Sequence, residues 1–583
     1  MRNTFKSQVK PRFVPGIALT LGSLLGLACT QIQTEPPTAT PKAAAEAPAA
    51  SERSSARLPE TSSGPRTLTV LAVNDVYRIA GIEDGRYGSM ARLRSLRSEL
   101  ERDDPELLFL HAGDFLFPSL LSRWFLGEQM IDVMNLLDGD EQAFDQRLFV
   151  TFGNHEFDKE KEDDIAMLDR RIEESQFSWL GTNIDFKSND DGWPVIAADH
   201  LVNSAIVELS GIRVGLFSLS IDEKHPDYVH AFGQPKAVAR RLTADLRRRG
   251  AELVIALTHL KMTDDVDLLR KLGPDGPDLA FGGHEHNRQA QEVDGRWIIK
   301  ADADARSATV AKVKLQPGGP PKVEFEFRQL GPQSPVDPLV QARVDRWLTN
   351  HDEVYCHKIG EPSGCLEKAL GHTQERLIGE ELTMRRFETN LGNWVLDQAL
   401  QHFADLGAQA AFINSGSLRL NQDIPANTDV TRRHIEETFQ YPSELRLLRI
   451  TGETLQQVVS HAVTDWTGNG KWLQVAGFAF RHDPAAATAD RLTLLTADGP
   501  RPVDPDEELL VVTSSFLADP KTGQDGYTML TEDLQVPPEG DPVTLRDLVV
   551  AGLAAAGTEG IAPSVDGRIC NAERDGPCLA VER

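Results

Sequence analysis

Aspartate, asparagine and histidine recur directly after apolar runs in the first half of the chain. "LTVLAVND" ends in Asp75, and Tyr77 follows two residues later; "LLFLHAGD" ends in Asp114. "LFVTFGNHEFD" carries Asn154, His155 and Asp158, "LVIALTHL" carries His259, and "LAFGGHEH" carries His284 and His286. Singly, each has an ordinary use: Asp114 as a helix cap, Asn154 in a turn, His259 as a hydrogen-bonded core histidine. Together they form a mixed oxygen and nitrogen donor set of the kind that holds two divalent ions. A carboxylate such as Asp114 can bridge two metals, and metals about 4 Å apart can clamp a phosphoryl group. Side chains two positions apart on an extended segment share a face. Asp75 and Tyr77 are therefore expected to point the same way; His284 and His286 share a face if their segment is extended.

Converging these residues requires elements that end at one edge. Strands are expected at Leu68–Val73, Leu107–His111, Leu148–Phe152, Val214–Ser218, Leu253–Leu257 and Leu279–Phe281. Segments of helical period, such as "SMARLRSLRSEL" and "EQMIDVMNLL", lie between them. Such alternation predicts a layered α/β fold. Ligands in α/β sheets bind beyond the carboxyl ends of the strands, where these residues fall. Gly113, Gly153, Gly282 and Gly283 precede several of them and allow tight turns.

The chain has 583 residues, enough for two large domains. Its formal net charge is −27, from 61 basic and 88 acidic residues. That argues against a nucleic-acid partner, which would need a basic face. An anionic small molecule would need metal ions or a local arginine cluster to approach.

The N-terminus reads as an export signal: Arg2, Lys6, Lys10 and Arg12 precede an apolar run, Phe13–Ala28, too short to span a bilayer comfortably. The run closes as "LLGLAC", which resembles a bacterial lipoprotein signal with Cys29 as the lipidated residue. Gly26 stands where such signals usually carry leucine. The alternatives are a plain cleaved signal or an uncleaved anchor. Residues 30–66, rich in Pro, Ala, Thr and Ser, read as a disordered tether. Four cysteines remain beyond Cys29. Two local disulfides, Cys356 with Cys365 and Cys570 with Cys578, are the simplest pairing in an exported chain; crosswise pairing is the alternative.

The order of these motifs, with "GNHEFD" and "GGHEH" the most specific, resembles the calcineurin-like metallophosphoesterases and, within them, the 5'-nucleotidase branch. The resemblance implies a four-layer α/β/β/α metallophosphoesterase domain over 67–332 and a helical connector over 333–354. A C-terminal α/β substrate-binding domain over 355–570 and a short tail, 571–583, would follow. It implies two divalent or trivalent metal ions, without choosing among Mn, Zn, Co and Fe. Asp75, Asp114, His286 and the residue at 77 would hold one; Asp114, Asn154, His259 and His284 would hold the other. His155, oriented by Asp158, would stabilise the transition state or protonate the leaving oxygen. A water acidified between the cations would attack phosphorus in line. The family pattern has histidine at 77, where this chain has tyrosine. Tyr77 would either ligate as a phenolate, favouring a hard ion such as ferric iron, or only hydrogen-bond while water fills the coordination position.

Further motifs extend the resemblance. Arg385 in "MRRFETNLGN" and Asn414, Gly416 and Arg419 in "INSGSLRL" match family positions that contact the substrate. Arginine suits bidentate contacts with phosphate or carboxylate. Tyr441 and Phe516 fall where the family stacks a nucleobase between two rings, and Asp525 where an acid contacts ribose hydroxyls. Pro442 replaces the usual glycine after the first ring, and "DPKTGQ" lengthens the loop before Asp525. The implied activity is phosphate release from 5'-nucleotides or their derivatives, by a periplasmic or cell-surface lipoprotein that meets membrane only through its anchor. The alternatives are the same centre acting on a cyclic nucleotide, a nucleotide-sugar or a thiosulfate conjugate, or a nucleotide-binding lipoprotein without turnover.

Overall fold

The run Leu68–Val73 is apolar at almost every position because it is buried on both faces. In this computed structural model it lies in the strand Arg66–Val73. Leu68, Val70 and Ala72 join a core shared between two sheets, with Val214, Ile255 and Leu279. Leu71 and Val73 join the opposite core, with Met90, Leu93 and Leu96 from a helix. Strands covered on both sides read as continuous hydrophobic runs, which is why these were legible. The structure describes residues 66–583 except 189–194, 197, 316–319, 442, 465, 467–469, 520–523, 538–540, 575 and 583. Cys29, the expected export signal and the tether ahead of Arg66 lie outside the described residues.

The first sheet has seven strands. Arg66–Val73, Leu108–His111, Asp145–Thr151, Phe177–Leu180 and Leu201–Val202 run parallel. Ser307–Leu315 and Lys322–Gln329 close the other edge antiparallel. The second sheet has six, with Ile212–Ser220, Leu253–His259, Leu279–Gly282 and Arg296–Lys300 parallel and an antiparallel strand at each edge. Helices cover the outer faces: Met90–Asp103 on the first sheet, Pro235–Arg248 and Met262–Leu272 on the second. The order is helix, sheet, sheet, helix, as expected.

The helix Pro338–Lys358 runs across the expected connector. Asp337 caps it by accepting from the backbone N–H of Leu339 and Val340. Val340 and Val344 pack into the first core, and Tyr355 and Cys356 into a small cluster with Cys365 and Leu366. Two four-stranded sheets build the C-terminal half. Cys356–Cys365 and Cys570–Cys578 are both bonded, the local pairing. Among the described residues no helix is long and apolar enough to cross a membrane.

One expectation of extended backbone is corrected, and the condition on a second segment is not met. Asp75 has φ of 53°, so the chain turns at once after Val73. His284 and His286 have φ of 94° and 61°, so "GGHEH" coils rather than extends. Neither pair shares a face by strand periodicity; whatever brings the side chains together is tertiary.

One buried ion pair ties a helix to the first sheet. Arg97, fully buried, sits 2.5 Å from Asp145 and 2.9 Å from Glu101. Removing one partner of a buried pair leaves an uncompensated charge, at about 3–5 kcal/mol. Arg97→Met is expected to lower unfolding free energy by about 3 kcal/mol, read from equilibrium denaturation.

Candidate metal centre and active site

Five strand ends deliver the predicted donors to one place. Ligating atoms of Asp75, Asp114 and His286 all lie within 4.8 Å of one another. His259 Nε2 lies 3.3 Å from Asp114 Oδ2 and 3.9 Å from Asp75 Oδ1. Its Nδ1 faces the Ala112 carbonyl at 2.6 Å, which leaves Nε2 to the site. His284 Nδ1 lies 3.3 Å from Asn154 Oδ1, and its backbone N–H donates to Asp75 Oδ2. The two histidines of "GGHEH" thus serve opposite sides, one toward Asn154, the other toward Tyr77. Tyr77 reaches in as well: its hydroxyl is 3.0 Å from Asp114 Oδ2, 2.9 Å from His286 Nε2 and 3.4 Å from Asp75 Oδ1.

His155 lies beside this group. Its backbone N–H donates to Asp114 Oδ1, and its Nδ1 faces Asp158 Oδ1 at 3.0 Å. Burial raises the Asp158 carboxyl, but His155, Lys224 and the Tyr441 hydroxyl together outweigh it and hold Asp158 at about 2.

The donors suit cations. Asp75 and Asp114 are almost wholly buried side by side, and ionised carboxylates out of water demand opposite charge. Burial would lower His259, yet Asp114 drives it up to about 10. His259 Nε2 is buried and finds no hydrogen-bond acceptor. An orphaned imidazole nitrogen aimed between two buried carboxylates has the chemistry of a metal ligand.

The comparisons with known proteins agree. Residues 68–288 match the calcineurin-like phosphoesterase family, and residues 369–532 match the 5'-nucleotidase C-terminal domain. The chain joins a calcineurin-like phosphoesterase domain to a 5'-nucleotidase C-terminal domain. It is a metal-dependent phosphoester hydrolase. The 5'-nucleotidase of Homo sapiens is 24% identical over 559 residues, covering 87% of this chain and 91% of that protein. The 5'-nucleotidase precursor of Thermus thermophilus superposes with a TM-score of 0.70 at 21% identity, covering 87% of this chain and all of that one. The sulfate thiohydrolase SoxB of the same organism superposes at 0.65 and 16% identity, over 90% of this chain and 99% of that one. At these identities the structural likeness speaks for the fold alone.

The phosphoesterase loops are clamped by a residue that sequence reasoning passed over. Glu156, fully buried, accepts from the backbone N–H of Gly153, Asp114, Phe115 and Leu116 at 2.6–3.1 Å. It joins "GNHE" to "GD". A Cβ at Gly153 would collide with the Asp114 carboxylate, which explains that glycine. Asp304 was also missed. It accepts from the N–H of Tyr77 and Arg78 and pairs with the Arg78 guanidinium at 2.8 Å. Glu285, between the two histidines, is anchored by buried Lys300 at 2.7 Å. No sequence signal marks what these side chains bind: Glu156 reaches donors up to 42 positions away, Asp304 one 227 away and Glu285 one 15 away.

The 5'-nucleotidase half faces the same place. The Tyr441 hydroxyl donates to Asp158 at 2.8 Å, and the Arg419 guanidinium lies 5.2 Å over the Tyr441 ring. The hydroxyl thus adds a polar contact to the expected stacking ring. Arg419 Nε also donates to the Gly416 carbonyl. Arg385 pairs with Glu381 at 2.5 Å, and Gly416 N–H donates to the Gly470 carbonyl. Asn414 donates to Asp525 at 2.7 Å. Phe516 is half-buried against the C-terminal core. Pro442 and residues 520–523 of the lengthened loop lie outside the described residues.

Glu156→Gln would turn an amide toward backbone donors and leave buried N–H groups unpaired. The expected cost is about 2–3 kcal/mol of stability, read by denaturation, with activity falling in the fraction that stays folded.

Proposed function

We propose that this hydrolase releases phosphate from 5'-nucleotides or nucleotide derivatives at a dinuclear metal centre. Asp75, Asp114, His286 and Tyr77 would flank one ion; Asp114, Asn154, His259 and His284 would hold the other. The observation that carries the reading is the convergence of Asp75, Asp114 and His286 beside the orphaned His259 Nε2. Two cations bound there would neutralise phosphoryl charge and acidify an attacking water. The chain's own residues do the rest. Asp158 takes the Nδ1 side of His155 and fixes the orientation of that ring. His155 Nε2 is then the nitrogen left to hold or pass a proton at the leaving oxygen. Arg385 and Arg419 are the cations for the substrate's anionic groups, and Tyr441 and Phe516 the rings for its base. The nucleotide assignment draws on the 5'-nucleotidase relatives and on these two rings.

Phosphate release from a nucleotide panel, with Mn, Zn, Co and Fe in turn, tests this. His155→Ala is expected to lose roughly 10²–10⁴-fold in kcat. Tight nucleotide binding without release in every metal would leave only a binding protein. A best substrate lacking a base would undo the roles given to Tyr441 and Phe516. Tyr441→Phe keeps the ring and deletes the hydroxyl on Asp158. We expect kcat to fall about tenfold, the equivalent of one hydrogen bond to a charged group, with KM nearly unchanged.

Export and lipidation at Cys29 belong to the same proposal, on the basic then apolar N-terminus. Cys29→Ala is expected to move the protein from the membrane fraction to the soluble one. An unchanged distribution on fractionation would refute the anchor.

A further inference from the structure

His286 is held from both halves of the chain. Its Nε2 faces Tyr77 at 2.9 Å and Asp75 Oδ1 at 3.5 Å. Its Nδ1 faces Glu381 Oε1 at 2.9 Å, from a residue 95 positions away in the C-terminal half. Glu381 is buried, and the same oxygen lies 2.5 Å from Arg385. A second carboxylate, Glu380, pairs with Arg306 of the first half at 3.1 Å, so this corner is seated firmly across the two regions.

Geometry at one imidazole nitrogen decides what the other can do. A carboxylate accepting from Nδ1–H fixes the ring's rotation and leaves the Nε2 lone pair for a cation. We infer that Glu381 is a positioning residue for the metal centre, locking His286 as an Nε2 ligand and tying metal retention to the seating of the C-terminal half. This rests on the reading of Asp75, Asp114 and His286 as metal ligands. The shared oxygen adds a consequence. Arg385, a substrate cation in that reading, and His286, a ligand, are joined through one carboxylate, so the substrate side and the metal side are mechanically linked.

The rival role for Glu381 is to orient Arg385 alone. Metal retention separates the two. Full-length wild type, Glu381→Ala and Glu381→Gln would be loaded with Mn²⁺, equilibrated against a graded chelator, and assayed for metal per chain by elemental analysis. Loss of a partner behind a ligating histidine typically costs 10–100-fold in metal affinity. Glu381→Ala should therefore weaken one of two bound ions by roughly 10–100-fold and leave the other in place. Glu381→Gln keeps an acceptor oxygen and should recover part of that loss, which also guards against a merely misfolded alanine variant. Wild type holding two ions, with both variants holding them as tightly, would overturn the inference while leaving the metal-centre reading intact. That result with a raised KM for nucleotide would assign Glu381 to Arg385. Wild type that retains no metal would overturn both.

Discussion

Two carboxylates buried together, Asp75 and Asp114, set the terms for the whole centre. Neither can be ionised out of water without opposite charge nearby. Burial pushes the Asp75 carboxyl up, while His259 and His155 outweigh burial and hold Asp114 well below the usual range. The same field drives His259 up, and burial keeps His284 neutral. A pocket so arranged is built to receive positive charge. The α/β/β/α layers matter to it because parallel strands from both sheets end at one edge. Only there can donors such as Asp75 and His284, 209 positions apart, meet without long loops.

Holding the donors there costs backbone strain. Asp75, Asp114, His284 and His286 all take positive φ, between 53° and 94°. Each such residue costs on the order of 1–3 kcal/mol, and the conformation persists only when its surroundings over-determine it. The surroundings are identifiable. Glu156 collects four backbone donors from the Asp114 and Asn154 loops, Asp304 collects those of Tyr77 and Arg78, and Lys300 secures Glu285 between the two histidines. These groups are polar and shielded from solvent, so their work is scaffolding for residues that would otherwise relax into ordinary turns.

This division explains what was legible in the sequence. The strands were, because burial on both faces writes a continuous apolar run, as in Leu68–Val73. The donors were, because aspartate and histidine stand out at the end of such runs. The local disulfides were, because close spacing leaves little else for them to do. The backbone at Asp75 was misread as extended, since strand periodicity says nothing once a clamp such as Asp304 overrides it. The contacts between halves were invisible: Tyr441 and Asp158 are 283 positions apart, and His286 and Glu381 are 95. Only a folded chain shows that the expected stacking ring carries a hydroxyl bonded to the partner of His155.

Tyr77 is where the chain departs from the family pattern it resembles, and the structure shows where its hydroxyl lies. Its hydroxyl sits among Asp75, Asp114 and His286, so the phenol stays within reach of that candidate site. Burial, then Asp114 and Asp75, hold its proton well above the ordinary phenol range. In that field it is a hydrogen-bond donor to Asp114. Bound cations reverse the sign of the local field and invert such pKa logic. One side chain in one place therefore supports both readings of the substitution, and the charge of the ion selects between them. A strongly polarising ion would draw the proton off and make a phenolate ligand; a softer divalent ion would leave the hydroxyl donating to Asp114. In the proposed centre the substitution would bear on the metal, whereas Tyr77 meets the His155–Asp158 pair only edge-on, at 5.9 Å between ring centres.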